Sequence, residues 1–205
     1  MSNADDAVAG PLRTLTTWLA KHAPTLATSL APPASPEAIA EIESLLGCVI
    51  PADYRAFLER HDGQRFVPVD DAHGTLAPLF SGFDLLPAAF AAGEYETIQN
   101  DWDEEGPGDI VAHGPVRAMY KNPRWWPITC VFGASQYHCL DLDPAPGGTA
   151  GQVIFISDDD ENRRVVAPSF AAFLARIAAT VTAPDVEASD EGIDLPDEVF
   201  ESLLE

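Results

Sequence analysis

The chain has 205 residues, a length that suits one domain with extensions better than two complete domains. Hydrophobic residues make up 46% of the chain, so a sizeable core can form. Thirty-three Asp and Glu residues oppose eleven Lys and Arg residues, which gives a formal net charge of −22. A surface of this sign repels phosphate backbones and anionic lipid headgroups, and it attracts basic proteins and cations. Composition therefore argues against nucleic acid and membrane surfaces as partners and favours a basic protein.

Cysteine usage and the N-terminal sequence indicate the compartment. Cys48, Cys130 and Cys139 are an odd number of cysteines without CxxC spacing, which favours a reducing compartment over a disulfide framework. Residues 1–6 contain neither a basic region nor an apolar run, so we expect no secretory signal. No apolar stretch approaches the roughly 20 residues of a membrane span. We therefore expect a soluble, cytoplasmic protein.

Three helices are predicted before residue 64. Residues at three- and four-residue steps indicate a first, amphipathic helix, which Pro24 could shorten: Leu12, Leu15, Leu19, His22 and Leu26. A proline-rich linker at 31–34 follows. The second helix begins after Ser35, an N-cap followed by a proline at the first helical position, and it ends at Gly47. A short third helix follows Pro51.

The second half is predicted to be mainly β-structure between two helices, one from Pro87 to about Trp102 and one from Ser169 to about Val181. Runs of β-branched and aromatic residues, separated by turn formers, predict strands at 119–120, 126–132, 136–142 and 152–156, and residues 163–167 could add a last one. The short spacings favour antiparallel hairpins, because a parallel return needs a dozen or more residues. We expect one core that contains Trp126, Leu140, Leu142, Ile154, Phe170 and Leu174.

The chain divides into three predicted parts: a helix with its linker at 1–34, the main domain at 35–184, and an acidic tail at 185–205. The tail carries nine acidic residues and no basic one. Two states are open, a solvated tail or a short docked helix. The docked helix is favoured by four large apolar residues at helical spacing, Val199, Phe200, Leu203 and Leu204.

Each candidate catalytic or metal-binding group has a simpler structural interpretation. Asp141 and Asp143 end a strand on one face and could hold a cation or act in acid–base catalysis, but an Asp directly before a proline is typical of a turn. His138 and Cys139 are adjacent in a strand and point to opposite faces, so the two cannot share one metal ion. The acidic run 158–161 lacks the spacing of a calcium loop, and neither a nucleophile elbow nor a phosphate loop is present. We expect no enzymatic activity, no cofactor and no metal.

Two features suit protein binding. One is Trp125, which faces away from its neighbour in a strand, onto a face that is either covered by a helix or open to a partner. The other is an acidic run with two aromatic residues inside it, which can anchor a partner of opposite charge unless Trp102 folds onto the core. The run consists of Glu94, Tyr95, Glu96, Asp101, Trp102, Asp103, Glu104, Glu105 and Asp109.

Several short motifs occur in a fixed order between about residues 35 and 181. The first half contains Ile50-Pro51-Ala52-Asp53-Tyr54 and then His61-Asp62-Gly63-Gln64. The second half contains Trp125-Trp126-Pro127-Ile128, then Cys139-Leu140-Asp141-Leu142-Asp143-Pro144, and then Gly151-Gln152-Val153-Ile154. Together these motifs resemble the Smi/Knr family of the SUKH superfamily. The resemblance implies an α+β, SUKH-like fold with a mainly antiparallel, curved sheet and packed N-terminal and C-terminal helices.

The resemblance also implies a function without catalysis, either as a bacterial immunity protein against toxins or, in fungi, as a regulator of cell-wall assembly. We therefore predict a protein-binding module, in the first place an immunity protein that neutralises a basic cognate toxin, such as a nuclease, by direct binding. One alternative is a regulator or scaffold of cell-wall synthesis. Another is an unrecognised hydrolase or metal-dependent enzyme that uses Asp141, Asp143 and His138. The oligomeric state is open.

Overall fold

The computed structural model of the chain describes residues 3–65, 67–68, 74–75, 79, 83–102, 108–131, 135–184, 186–189 and 192–195. Its helices are α1 (Asn3–His22), α2 (Pro24–Ala27), α3 (Pro36–Leu46), α4 (Ala52–Leu58), α5 (Ala88–Asn100) and α6 (Phe170–Val181). Its strands are β1 (Val67–Pro68), β2 (Gly74–Thr75), β3 (Phe83–Leu85), β4 (Val111–His113), β5 (Trp125–Val131), β6 (Gln136–Asp141), β7 (Gln152–Ser157), β8 (Asn162–Ala167), β9 (Glu187–Ser189) and β10 (Gly192–Asp194).

Six strands form one sheet in the order β3-β5-β6-β7-β8-β4. Neighbouring strands are antiparallel, except that β4 runs parallel to β8. From β5 to β8 the order in space follows the order in the chain, so the hairpins predicted from short spacings are confirmed. Two small pairs, β1–β2 and β9–β10, lie outside this sheet. The α+β fold class is therefore confirmed.

The strand predicted at 119–120 is wrong. The carbonyl groups of Met119 and Tyr120 accept hydrogen bonds from the guanidinium of Arg163, at 3.3 and 3.1 Å, instead of pairing with a neighbouring strand. The edge of the sheet is formed instead by β4, which the sequence did not indicate. Because β4 has only three residues, all exposed, it lacks the apolar alternation that identifies longer strands.

The central strands are buried on both faces, and every residue of β7 is buried. On one face, Trp126 donates its indole N–H to the Tyr54 hydroxyl at 3.3 Å, and the Phe170 ring lies 5.1 Å from the Tyr54 ring. This face is therefore covered by α4 and α6. On the opposite face, Tyr137 packs against Trp102, so the chain that follows α5 provides the second cover.

Helix α6 is fixed at its first turn by two side-chain acceptors. Ser169 accepts from the backbone N–H of Ala172 at 3.2 Å, as expected for an N-cap. Asp53, at the start of α4, accepts from the N–H of Ala171 at 2.9 Å, and this bond joins the two helices. The apolar face of α6 is buried through Phe170, Phe173, Leu174, Ile177 and Val181.

The helix predicted as an N-terminal extension shares the main core. Helix α1 packs against α4 and α6, and its apolar stripe is buried at Val8, Leu12, Leu15 and Leu19. The predicted core is also found: Trp126, Leu140, Ile154, Phe170 and Leu174 are buried in one cluster, and Leu142 packs against it with partial exposure.

The described part of the acidic tail is the β9–β10 hairpin, whose Ile193 is buried against the core. The helix predicted through Val199, Phe200, Leu203 and Leu204 lies outside the described residues. Within the described ranges, no helix is both long and apolar enough to span a membrane.

Alanine substitutions at two glycines, one in a strained and crowded position and one in an open helical position, test the backbone geometry. Gly63 has a φ of +59°, and an added Cβ would lie 2.5 Å from the carbonyl carbon and oxygen of Leu86. We expect Gly63→Ala to lower the free energy of unfolding by at least about 2 kcal/mol, because the left-handed backbone alone costs roughly 1–2 kcal/mol. In α5, an added Cβ at Gly93 meets nothing within 4 Å. Gly93→Ala should raise stability by about 0.5–1 kcal/mol.

Urea denaturation of both variants measures these changes. Equal effects of the two substitutions would contradict the close approach of Gly63 to Leu86.

Candidate protein-binding surface

The first two members of the acidic run, Glu94 and Tyr95, face the sheet. Glu94 is half-buried on α5 and accepts a hydrogen bond from the Tyr137 hydroxyl at 2.7 Å. Tyr95 is 8% exposed, donates its hydroxyl to the Pro123 carbonyl at 3.1 Å, and lies 5.6 Å from the Trp126 ring. The prediction that Tyr95 offers an aromatic surface to a partner is therefore corrected: α5 turns this side chain onto strand β5.

Trp102 belongs to the core, which decides between its two predicted roles. It is 6% exposed, and its ring lies 5.0 Å from Tyr120 and 6.0 Å from Tyr137. Lys121 holds this chain segment in place, because its ammonium donates to the carbonyls of Gln99 and Trp102 at 2.8 and 3.1 Å. A cation at the end of α5 is also favoured by the helix dipole.

Three acidic side chains of the run lie at the surface, one on α5 and two after it. Glu96, Asp101 and Asp109 are exposed. Three further members of the run, Asp103, Glu104 and Glu105, lie outside the described residues, so their part in binding stays a prediction.

Trp125 is fully buried, which settles the face that the sequence left open. Its indole N–H donates to the Asp141 carboxylate at 3.0 Å. The side chain faces away from α6 because its neighbour Trp126 faces the helices, and the chain around Trp102 and Tyr120 covers this second face. The prediction of Trp125 as an accessible binding residue is corrected on this ground.

The paired carboxylates at the end of β6 have structural hydrogen-bond partners. Asp141 is fully buried and accepts from Trp125, from the Gln152 amide at 2.9 Å, and from the backbone N–H of Asp143 at 3.0 Å. Burial raises the pKa of Asp141, and these hydrogen bonds oppose the shift. Asp143 pairs with Arg117 at 2.7 Å, and this hydrogen-bonded partner lowers the pKa of Asp143. The arrangement is that of a turn held to a sheet.

His138 and Cys130 are buried within the sheet. His138 is fully buried, with the rings of Phe83, Phe155 and Phe173 at 4.6, 5.7 and 4.9 Å, and its Nδ1 lies 2.7 Å from the Thr129 hydroxyl. Burial raises the pKa of the Cys130 thiol to about 12. No group of three potential metal ligands occurs in the described part of the chain.

Two buried charged residues were not singled out in the sequence. Arg163 is fully buried in β8, and its guanidinium donates to four backbone carbonyls, those of Met119, Tyr120, Asp160 and Asn162. Asp84 is 3% exposed in the edge strand β3, and its Oδ1 has no hydrogen-bond partner among the residues that the structure describes. An Arg or Asp within a short strand gives no local sequence signal of burial, because burial depends on distant segments.

The sheet covered on both faces, with helices at its N-terminal and C-terminal sides, defines a SUKH-like α+β domain. The chain belongs to the SMI1 / KNR4 family (SUKH-1), whose family model matches residues 33–176. The matched range begins after α1 and ends within α6, so α1 and the acidic tail lie outside it.

Curated relatives are fungal proteins. The chain is 31% identical over 157 residues to the "Cell wall biosynthesis/cell cycle regulator smi1" of Schizosaccharomyces pombe, a match that covers 68% of this chain and 30% of that protein. It is 27% identical over 191 residues to the "Glucan synthesis regulatory protein" of Neurospora crassa, covering 78% and 36%. It is 22% identical over 210 residues to the "Cell wall assembly regulator SMI1" of Saccharomyces cerevisiae, covering 86% and 41%. The chain thus spans well under half the length of these relatives.

The burial of Trp102 predicts a stability effect. Trp102→Ala should lower the free energy of unfolding by about 3–5 kcal/mol, because it leaves a cavity beside Tyr120 and Tyr137. Chemical denaturation measures the change, and Asp101→Ala, at the exposed neighbouring position, serves as the control. A near-wild-type stability for Trp102→Ala would contradict its place in the core.

The burial of Asp84 predicts that the free energy of unfolding depends on pH. Burial raises the pKa of Asp84 from 3.8 to about 7, so the folded protein holds this proton more tightly than the unfolded chain. The stability contributed by this group is full below about pH 4 and is lost as the pH rises to about 7, with a slope of up to about 1.4 kcal/mol per pH unit. Asp84→Asn should remove most of this loss of stability between about pH 4 and 7. At pH 8 the variant should therefore be more stable than the wild type.

Urea denaturation between pH 4.5 and 8 tests this expectation, with Asp101→Asn as an exposed control that should follow the wild type. Parallel profiles for Asp84→Asn and the wild type would contradict it.

Proposed function

We propose that this chain is a non-catalytic protein-binding module that acts by direct contact with a basic partner protein. The observation that carries the proposal is the distribution of charge. Acidic side chains such as Glu96, Asp101 and Asp109 are exposed, whereas many of the basic side chains are already engaged within the fold.

Four arginines are held in ion pairs: Arg55 with Glu43, Arg60 with Asp5, Arg117 with Asp143, and Arg164 with Asp160. Three other basic residues donate to backbone carbonyls: Lys121, Arg163 and Arg176. These contacts reduce the positive charge available at the surface and leave the excess of acidic groups uncompensated. A field of this sign steers a basic protein toward the surface and raises the association rate.

In its most specific form, the proposed function is that of an immunity protein. A toxin that cleaves nucleic acid needs a basic cleft, and an acidic inhibitor complements such a cleft in charge. Occlusion of the cleft would neutralise the toxin without any catalytic group in the inhibitor. The resemblance in sequence and the charge of −22 support this form.

A second candidate is regulation of cell-wall synthesis, because three relatives are named as regulators of the cell wall or of glucan synthesis. The two candidates differ in the partner. Affinity purification of the tagged chain from its source cell, followed by mass spectrometry, should recover a toxin for the first and a component of cell-wall synthesis for the second. The charge proposal itself fails if the purified partner has an acidic binding domain.

Salt and charge variants test the binding surface once the partner is purified. We expect the association rate to fall as salt rises, because exposed charges are screened within about 8 Å at physiological ionic strength. Replacing Glu96, Asp101 and Asp109 by Gln or Asn should lower the association rate and weaken its salt dependence. Folding stability should change little, because exposed charges contribute little to it.

The matched control neutralises three exposed acids outside the acidic run, Glu37, Glu41 and Glu59, with the same change in net charge. Stopped-flow measurements compare the two triple variants. If both triple variants change the association rate equally, net charge alone accounts for the steering, and the acidic run is not part of the interface.

A further inference from the structure

Helix α1 carries an exposed basic and aromatic face in this otherwise acidic chain. Residues at four-residue steps form two adjacent rows along the helix, because such positions lie on one face. The rows line a depression of about 480 Å³, formed by Arg13, Thr14, Thr17, Trp18, Lys21 and His22.

The centre of this α1 face is an aromatic stack. The rings of Trp18 and His22 are stacked, with centroids 4.7 Å apart and planes inclined by 17°. Trp18 packs partly against the core and remains partly exposed. Arg13 and Lys21 are exposed, and neither has an ion-pair partner among the described residues. The face therefore offers an apolar ring between two cations that are free to pair.

The C-terminal segment 196–205, outside the described residues, has the complementary chemistry. It contains four acidic residues and no basic one: Asp197, Glu198, Glu201 and Glu205. Its large apolar residues repeat at helical spacing: Val199, Phe200, Leu203 and Leu204. An acidic, amphipathic segment suits a surface that combines an indole ring with two cations.

The extended length of the segment is comparable to the length of helix α1. Helix α1 packs along α6, and β9 begins shortly after α6 ends. Leu195, the last described residue, packs against the core. Ten further residues span up to about 33 Å when extended, which is comparable to the roughly 30 Å length of α1.

We propose that residues 196–205 dock on the α1 face formed by Arg13, Trp18, Lys21 and His22. The apolar side chains of the segment cover the Trp18 ring, and its carboxylates pair with Arg13 and Lys21. The contact neutralises the main unpaired basic face of the described structure with the acidic end of the same chain.

Fluorescence quenching by acrylamide tests the contact in the full chain, because Trp18 is the most accessible of the four tryptophans. The other three are nearly or fully buried: Trp102, Trp125 and Trp126. We expect Phe200→Ser combined with Leu203→Ser to increase the quenching constant, and Arg13→Glu combined with Lys21→Glu to do the same. Trp18→Phe should remove most of the quenchable emission and so verify the assignment.

The matched control replaces two exposed apolar residues elsewhere, Leu45→Ser with Val49→Ser, and should leave quenching unchanged. Adding Glu198→Lys and Glu201→Lys to the charge-reversed α1 variant should restore protection, since the ion pairs form with opposite signs. Circular dichroism checks that each variant keeps the fold.

Three results would overturn the proposal. The first is unchanged quenching in both the tail variant and the α1 variant. The second is failure of the charge swap to restore protection. The third is protection that disappears on dilution, which would assign the contact to the tail of a second copy instead of the same chain.

Discussion

Burial of the central strands on both faces is the constraint on which the rest of the structure depends. A strand with one solvated face alternates apolar and polar residues, but β7 is buried at all six of its positions. Two covering layers are then required. Helices α4 and α6 supply one, with α1 packed behind them, and the segments around Trp102 and Tyr120 supply the other. The consecutive pair Trp125 and Trp126 makes this visible, because each ring is buried on a different face.

In a sheet without a solvated face, the polar side chains must form their hydrogen bonds with other groups of the protein. Burying a polar group without a hydrogen bond costs free energy, so partners have to be built into the covering layers. Asp141 takes its donors from Trp125, Gln152 and the following turn, whereas Arg163 takes its acceptors from the carbonyls at 119–120. Groups that resemble catalytic residues in the sequence are thus occupied by hydrogen bonds. In the described part of the chain, Asp84 at the sheet edge is the exception, because one of its carboxylate oxygens has no hydrogen-bond partner.

The sequence predicted the elements whose signals are local. The N-cap at Ser169, the left-handed end of α3 at Gly47, and the hairpins from β5 to β8 follow from neighbouring residues alone. The segment that covers the second face of the sheet could not be predicted. Strand alternation shows that Trp125 faces away from Trp126, but it does not show which part of the chain packs against Trp125. The same limit explains the incorrect strand at 119–120, whose backbone bonds depend on Arg163 more than forty residues later.

The burial of the aromatic side chains separates two contributions to binding. Exposed acids mainly set the rate of encounter, whereas desolvated apolar contacts at the centre of an interface set how long a complex lasts. Tyr95, Trp102 and Trp125 are committed to the fold, so in the function proposed above the acidic run would steer a partner without anchoring it. Anchoring then requires other side chains, and the large apolar residues exposed in the described ranges are Leu45, Val49, Phe90, Val111 and Met119. Val49, which is 74% exposed just after α3, has the most surface to bury against a partner.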